Sequence, residues 1–227
     1  MKISRKNSIR IQYVLDQLIP PILRDSKIFM YLPMKLVFKN KSSIFMGFKD
    51  NVFDLDENEF SELYESTAEV NELQGETDLN ESCTRNILSN ISGNSVLEVG
   101  CGRGYLSNLL AAKHKTTAVD ISISKELKEK HPRVNFVEAN IQALPFKDNQ
   151  FDTVVCTHTL EHVQDLSAAI MELRRVSKKK LIIVVPKQRP YKYTFSLHIH
   201  FFPYEWSLKE WLGCTDNFYI KDLGDWY

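Results

Sequence analysis

At 227 residues, 43% hydrophobic and 26% charged, the chain has the length for one substantial core, or one domain with an appendage, and the make-up of a soluble globular protein. Its 29 basic side chains cancel its 29 acidic ones, which argues against a polyanionic partner, and no nucleic acid is expected. Four cysteines, at 83, 101, 156 and 214, have no Cys-x-x-Cys spacing and read as buried reduced thiols in a cytoplasmic protein.

The charge is uneven along the chain. Residues 1–50 hold ten Lys/Arg against three Asp, whereas residues 51–82 hold eleven Asp/Glu and no Lys/Arg. Two readings stand: two solvated or mutually complementary surfaces, or a basic, apolar stretch that makes a peripheral contact with an anionic membrane surface or an anionic acceptor. The opening is basic and then apolar, as in a secretion signal. However, Asp16 and Gln17 interrupt it, Pro20-Pro21 breaks it and no small-residue cleavage site follows. No run reaches the ~20 apolar residues that span a bilayer.

Taken in order, apolar residues at 8, 11, 14, 15, 18 and 19 form a helical stripe ended by Pro20. Residues 28–48, rich in Ile, Phe, Met, Leu and Lys, resist assignment. Residues 57–72 alternate acids with Phe60, Leu63, Tyr64 and Val70, consistent with an exposed helix, and Asn80-Glu81-Ser82 opens another. From 95 onward strands are expected at 95–99, 116–120, 134–138, 152–156 and 180–186, and helices at 103–113, 122–130 and 164–176. That alternation implies a parallel sheet with right-handed crossovers. Residues 203–213 read as a short helix with a glycine stop, and Phe218-Tyr219-Ile220 as a sixth strand. The expected division is an N-terminal helical extension, 1–90, and an α/β domain, 91–227.

The most informative stretch is Val96-Leu97-Glu98-Val99-Gly100-Cys101-Gly102-Arg103-Gly104, in which apolar residues run into a loop with glycine at every second position. Glycines there allow positive φ and let a ligand lie against bare main chain. A second apolar strand, Thr116-Thr117-Ala118-Val119-Asp120, ends in a carboxylate placed to accept hydrogen bonds from a ribose diol. In open sheets of this kind the ligand sits beyond the carboxyl ends of the strands.

With these motifs go Ala143-Leu144-Pro145-Phe146, Asn149 to Cys156, Leu160-Glu161-His162-Val163 and Glu172-Leu173-Arg174-Arg175-Val176. Together, over about residues 93–186, the chain resembles the class I S-adenosylmethionine-dependent methyltransferases. Within them it is similar to the subgroup that includes the ubiquinone/menaquinone-biosynthesis methyltransferases. The resemblance implies a Rossmann-like, doubly wound α/β fold with helices on both faces, and N-terminal helices, within 55–90, that cap the site. It implies S-adenosyl-L-methionine as cofactor, with S-adenosyl-L-homocysteine as product. Gly100, Cys101, Gly102 and Gly104 would then pass beneath the cofactor, Glu98 would reach toward its ammonium group and Asp120 would bind its ribose. Ile121 and Ile141 would flank the adenine, Asn140 (where relatives carry Asp) would meet its amine, and Thr157 would lie near the sulfonium. For Asp120 a helix N-cap role for 122–130 stays open beside the ribose role.

Three histidines are candidates for catalysis. His158 follows the fourth strand, and His198 and His200 share a face if their segment is extended. A neutral imidazole is a suitable base for a hydroxyl acceptor. Ordinary packing is an equal reading for each, and two ligands without a third argue against a metal, so none is expected. His114, His131 and His162 read as structural. Tyr191, Tyr193, Phe195, Phe201, Phe202 and Tyr204 follow the fifth strand, as core under a long loop or as the wall of an acceptor pocket.

Two departures from the family stand out. Ser177-Lys178-Lys179-Lys180 replaces a Lys-Pro-Gly-Gly turn and is expected to alter a distal loop, and the usual antiparallel last strand has at most Gly224 to Tyr227 to draw on. The Asn/Asp-Pro-Pro-Tyr signature of amide and base N-methylation is absent after the fourth strand, and residues 93–227 show no basic stripe for RNA. The expected acceptor is a small molecule, sugar or glycolipid, with O-methylation slightly favoured. The alternative is a non-catalytic nucleotide-binding module of a larger complex. A dinucleotide enzyme would need glycine at 105, where Tyr105 stands.

Overall fold

The computed structural model describes residues 13–14, 18–71, 77–213, 217–224 and 226–227. The apolar stripe expected over 8–19 and Cys214 thus fall mostly or wholly outside the described residues. The chain divides into two compact units, Met1–Asp78 with Gln188–Phe201, and Leu79–Lys187 with Phe202–Tyr227. This division differs from the expected 90/91 boundary in two respects: the helix before the first strand goes with the sheet, and a segment from beyond the fifth strand goes with the N-terminal helices.

The first unit is helical. Helix α1 is Pro21–Arg24, α2 is Lys27–Phe38, α3 is Ser42–Asn51 and α4 is Glu57–Asn71. Ser26 caps α2 by accepting from the Phe29 N–H at 3.4 Å. Met30, Met34 and Phe38, four residues apart, form its buried face. Phe38 then stacks on Phe45 of α3, ring centroids 3.7 Å apart. The 28–48 stretch is therefore two helices. It resists sequence assignment because α2 is apolar on both faces and carries Pro33 in its interior. The 188–201 segment is fastened to these helices by Arg24, which donates to the Pro190 carbonyl at 3.0 Å, and by Lys49, which donates to the Tyr191 carbonyl.

The second unit starts with α5, Glu81–Asn90, whose N-cap is Asn80, accepting from the Cys83 N–H at 2.7 Å. There follow β1 (Ser95–Val99), α6 (Tyr105–Ala111), β2 (Lys115–Asp120), α7 (Lys125–Lys130), β3 (Asn135–Glu138), β4 (Phe151–Thr157), α8 (Leu166–Val176), β5 (Ser177–Val184) and α9 (Glu205–Leu212). The five strands are all parallel and lie in the order β3-β2-β1-β4-β5. This is the doubly wound α/β sheet expected from the sequence.

Alternate residues of the central strands face opposite layers. Leu97, Val99, Val154 and Cys156 pack with Leu166, Ala169, Ile170 and Leu173 of α8. Val96 and Val155 pack with Cys83 and Ile87 of α5 and with Leu106 and Leu110 of α6. Because β1 has β2 on one side and β4 on the other, the connections leave it in opposite directions and open a crevice beyond its carboxyl end. Cys83, Cys101 and Cys156 are buried and reduced.

Two expectations at the sheet edge are corrected. First, residues 177–180 are not a loop: β5 begins immediately after α8. Ser177 pairs with Phe151 and Lys180 with Thr153, so two residues bulge opposite Asp152, and Lys179 Nζ lies 2.8 Å from the Asp152 carboxylate. Second, Phe218-Tyr219-Ile220 is not a strand. Phe218 and Tyr219 are exposed and pair with no ladder, while Ile220 packs on the core. β-propensity without pairing to another strand does not make a strand. Instead the peptide groups of Val185 and Tyr227 exchange hydrogen bonds of 3.1 Å in both directions, next to an antiparallel bridge between Pro186 and Trp226. Helix α9 ends, as expected, on Gly213 in the left-handed region. Among the described residues no helix is long and apolar enough to cross a membrane.

The segment leading into β4 is held by one guanidinium. Arg175 donates to the carbonyls of Phe146 (2.6 Å) and Leu144 (2.9 Å) and to both oxygens of Glu172 (2.6 and 2.8 Å), while Glu172 accepts from the Leu144 N–H at 2.7 Å. Arg175→Ala removes the guanidinium donors of the Phe146 carbonyl, the Leu144 carbonyl and Glu172, leaving the last two with one backbone donor each, and should lower the unfolding free energy in urea by about 2–4 kcal/mol. Arg175→Lys should recover less than half of that, since an ammonium cannot reproduce the planar fork.

Candidate active site

The turn after β1 hangs on the end of β2. Gly100 N–H and Cys101 N–H both donate to the Val119 carbonyl, at 2.8 and 3.0 Å. The Asp120 carboxylate takes the next donors: Oδ2 accepts from Gly102 N–H at 2.7 Å and Oδ1 from Ile121 N–H at 2.8 Å. Three φ values of +76, +49 and +73° at Gly100, Gly102 and Gly104 are what this path requires.

The three glycines are needed for different reasons. A Cβ on Gly100 would stand 1.8 Å from Thr159 Oγ1, and one on Gly104 would crowd His131 and Leu127 at 3.0–3.1 Å. A Cβ on Gly102 would meet nothing within 4 Å. Gly102 is exposed and its Cβ direction points into open space, whereas its neighbours are glycine because protein occupies that space.

The charges here are unusual. Glu98 is 2% exposed and accepts the Ser107 hydroxyl of α6; burial pushes its carboxyl up to about 8, with the nearby Asp120 adding to the shift. Burial also raises Asp120, opposed by the backbone donors of Gly102, Ile121 and Ser122 and by His162. Burial raises the thiols of Cys101 and Cys156, so neither is a nucleophile at neutral pH. The N-cap alternative for Asp120 does not hold: α7 is capped by Ser124, which accepts from the Leu127 N–H at 3.1 Å.

Glu98, Gly100, Cys101, Gly102 and Gly104 thus gather at the carboxyl end of β1 with Asp120 and Ile121 at that of β2, and Thr157 and His158 end β4. Beyond β3, Asn140 turns its side-chain oxygen to the Gln142 N–H (2.9 Å), capping the short turn 141–143, while Ile141 is buried in the core. Thr157 is buried, and its carbonyl accepts from Thr159 Oγ1 at 3.0 Å. His158 sits at φ +53°, a left-handed conformation that reverses the chain straight after the strand. Its Nδ1 lies 3.6 Å from Glu161 Oε1, and its ring meets Trp226 edge-on with centroids 4.1 Å apart. His158 Nε2 and Trp226 Nε1 are buried, and neither has a hydrogen-bond partner among the described residues. His198 and His200 belong to the other unit. His198 is buried with Nδ1 2.6 Å from Gln188 Oε1, and Gln188 in turn donates to the Tyr191 hydroxyl at 2.6 Å. That network fixes the ring to its own segment.

Sequence reasoning misses three residues. Thr159 fills the space over Gly100 and carries no sequence signal. Glu161 is buried (1% exposed) between His158 and His162. An acid flanked by histidines at i−3 and i+1 is its only trace. Trp226 reaches His158 from far along the chain.

A model of the methyltransferase domain family matches residues 97–185. Residues 97–185 are a class I S-adenosylmethionine-dependent methyltransferase domain. An uncharacterised protein of Methanocaldococcus jannaschii is 46% identical over 94 residues, 40% of either chain. A 2-phytyl-1,4-naphtoquinone methyltransferase of Nostoc punctiforme is 37% identical over 99 residues, 38% of this chain and 43% of its own. An O-methyltransferase of Aspergillus nomiae is 33% identical over 109 residues, 42% of this chain and 48% of its own. The chain spans less than half the length of these curated relatives. S-adenosylmethionine is the cofactor of such a domain, and the residues present fit it. The space over Gly102 is open, Asp120 has acceptor capacity left beside its backbone donors Gly102, Ile121 and Ser122, and Glu98 is a buried acid that a cation would ionise.

The methyltransferase turn yields a paired prediction. Gly102→Ala should fold with a loss of about 1 kcal/mol from its left-handed φ, yet bind S-adenosylmethionine at least about tenfold more weakly, because a methyl group worth over 1 kcal/mol of clash enters the open space. Gly100→Ala adds a collision with Thr159 to the same strain and should lose more than about 3 kcal/mol in thermal or urea unfolding. Equal stability of the two variants would contradict the geometry.

Glu98 gives a pH dependence. The folded state holds its proton to about 8, against 4.5 ordinarily. Stability is therefore fullest below the ordinary value and falls as pH rises from there toward about 8. Glu98→Gln should flatten that fall, read as urea midpoints at the two ends of the window.

Proposed function

We propose that this chain is a methyltransferase that uses S-adenosyl-L-methionine to methylate a hydroxyl on a small molecule, sugar or glycolipid. The cofactor supplies an electrophilic methyl on a sulfonium and becomes S-adenosyl-L-homocysteine. The chain's own residues do the rest. Asp120 orients the ribose from the end of β2, and Glu98 faces the ammonium group. Gly100, Cys101, Gly102 and Gly104 let main chain pass close beneath the cofactor, with Ile121, Asn140 and Ile141 toward the adenine and Thr157 near the sulfonium.

The observation that favours oxygen over nitrogen or carbon is the pair of buried polar atoms at the end of β4. His158 Nε2 offers a lone pair and Trp226 Nε1 an N–H, and neither has a partner among the described residues. A hydroxyl both donates and accepts, so it answers the two together. In this reading His158 takes the hydroxyl proton on Nε2, and Glu161, facing Nδ1, holds the ring and stabilises the imidazolium. His158 is preferred as base because it directly follows β4, next to the glycine turn that follows β1. The intact glycines and Asp120 disfavour a non-catalytic binding module.

The relatives' names support a small-molecule acceptor without choosing the methylated atom, since they include a naphthoquinone methyltransferase, a C-methyltransferase of quinone biosynthesis and an O-methyltransferase. Quinone-like and glycolipid acceptors reside in membranes, which suits a peripheral membrane contact through residues 1–50.

Incubation with methyl-labelled cofactor and fractionated cell extract should place label in the lipid or small-molecule pool, released by reagents that cleave methyl ethers. Label in protein or nucleic acid would overturn the substrate class. On the labelled fraction, His158→Asn should slow transfer by about 10²-fold or more with cofactor affinity unchanged. An unaltered rate would remove His158 from the chemistry.

A further inference from the structure

Helix α2 presents two apolar faces, and among the described residues only one of them is covered. At 100° per residue Met30, Met34 and Phe38 lie on one side and are buried (0, 0 and 5% exposed). Ile28, Leu32 and Leu36, also four apart, lie almost opposite and are 90, 62 and 71% exposed. Tyr31, at 56%, borders the same stripe, and Ile22 of α1 is 84% exposed just before it. Single exposed leucines are ordinary; a straight aliphatic row over the whole length of a helix is not.

The charges around this row indicate what covers it. From Ser26 to Lys49 there is no acidic residue, and five lysines stand in the interval. Lys41 and Lys49 are turned to carbonyls of their own unit, those of Ser66 and Tyr191. Lys27, Lys35 and Lys39 are exposed, and Lys35 lies within the apolar stripe itself, between Tyr31 and Leu36 in angle. An apolar protein groove would bury that ammonium without a partner. An anionic lipid surface takes the aliphatic side chains into the acyl boundary while Lys35 extends to the headgroups. Twelve residues make a helix of about 18 Å, too short for a hydrocarbon core of about 30 Å, so the helix must lie in the interface plane.

We infer that the Ile28–Leu32–Leu36 face of α2, with Ile22 and Tyr31 at its margin and Lys27, Lys35 and Lys39 around it, docks the protein on an anionic bilayer surface. The membrane contact proposed for residues 1–50 is thereby given a face, and it is independent of methyl transfer, because vesicle binding requires no cofactor. Flotation of the full chain with phosphatidylserine-containing vesicles tests it. Wild-type protein should float with these vesicles, much less with phosphatidylcholine alone, and less as salt is raised. The triple variant Ile28→Ser, Leu32→Ser, Leu36→Ser should bind at least about tenfold more weakly, and Lys27→Ala, Lys35→Ala, Lys39→Ala should lose the preference for anionic lipid. All six side chains are exposed, so unfolding midpoints should stay at the wild-type value. Equal vesicle binding by wild type and the triple variant overturns the assignment. So does a wild-type dimer in sedimentation equilibrium that the triple variant abolishes while neither protein floats, since a second copy would then be the occupant. Loss of cofactor binding with flotation retained would count against the methyltransferase reading alone.

Discussion

The candidate site depends on one carboxylate serving two backbone amides. Asp120 at the end of β2 accepts from Gly102 and from Ile121, while the Val119 carbonyl beside it accepts from Gly100 and Cys101. Four peptide N–H groups from two strand ends are thereby tied at a single corner. That corner fixes the path of the glycine turn, keeps the space over Gly102 open and leaves the carboxylate with spare lone pairs facing it. The corner is also where burial raises the proton affinity of two acids, Glu98 and Asp120, and where Asp120 adds to the shift of Glu98. A cationic, diol-bearing ligand is the complement of such a place, because it relieves both.

Most of this corner was legible in the sequence, because its elements are local. An apolar strand, alternating glycines and a second strand ending in Asp name the turn, its neighbour and its chemistry within about two dozen residues. What was illegible depends on non-local facts. Gly100 must be glycine because of Thr159, beyond β4, and nothing in the spacing says so. The surroundings of His158 come from a left-handed residue at the end of a strand and from Trp226. Helices α2 and α3 were hidden because a helix apolar on two sides has no period to read. The placement of 188–201 with the N-terminal helices rests on Arg24 and Lys49 meeting carbonyls far along the chain.

The two errors at the sheet edge have a common origin. Residues 177–180 lack turn formers, and the chain answers by going from helix to strand with no turn, absorbing the excess as a bulge clamped by Lys179 and Asp152. Residues 218–220 have the composition of a strand, but strands are made by partners. Composition was a sound guide for β1, β4 and the edge strand β3, and a poor one for 218–220, which pairs with no strand.

The mutual hydrogen bonds of Val185 and Tyr227 bring Trp226 against His158, so the wall of the β4 crevice is built from the last described residues. A ribosome delivers those residues after every strand of the sheet has emerged. Chain order therefore sets an order of synthesis: the residues of the sheet and of its glycine corner are made before the residues that surround His158.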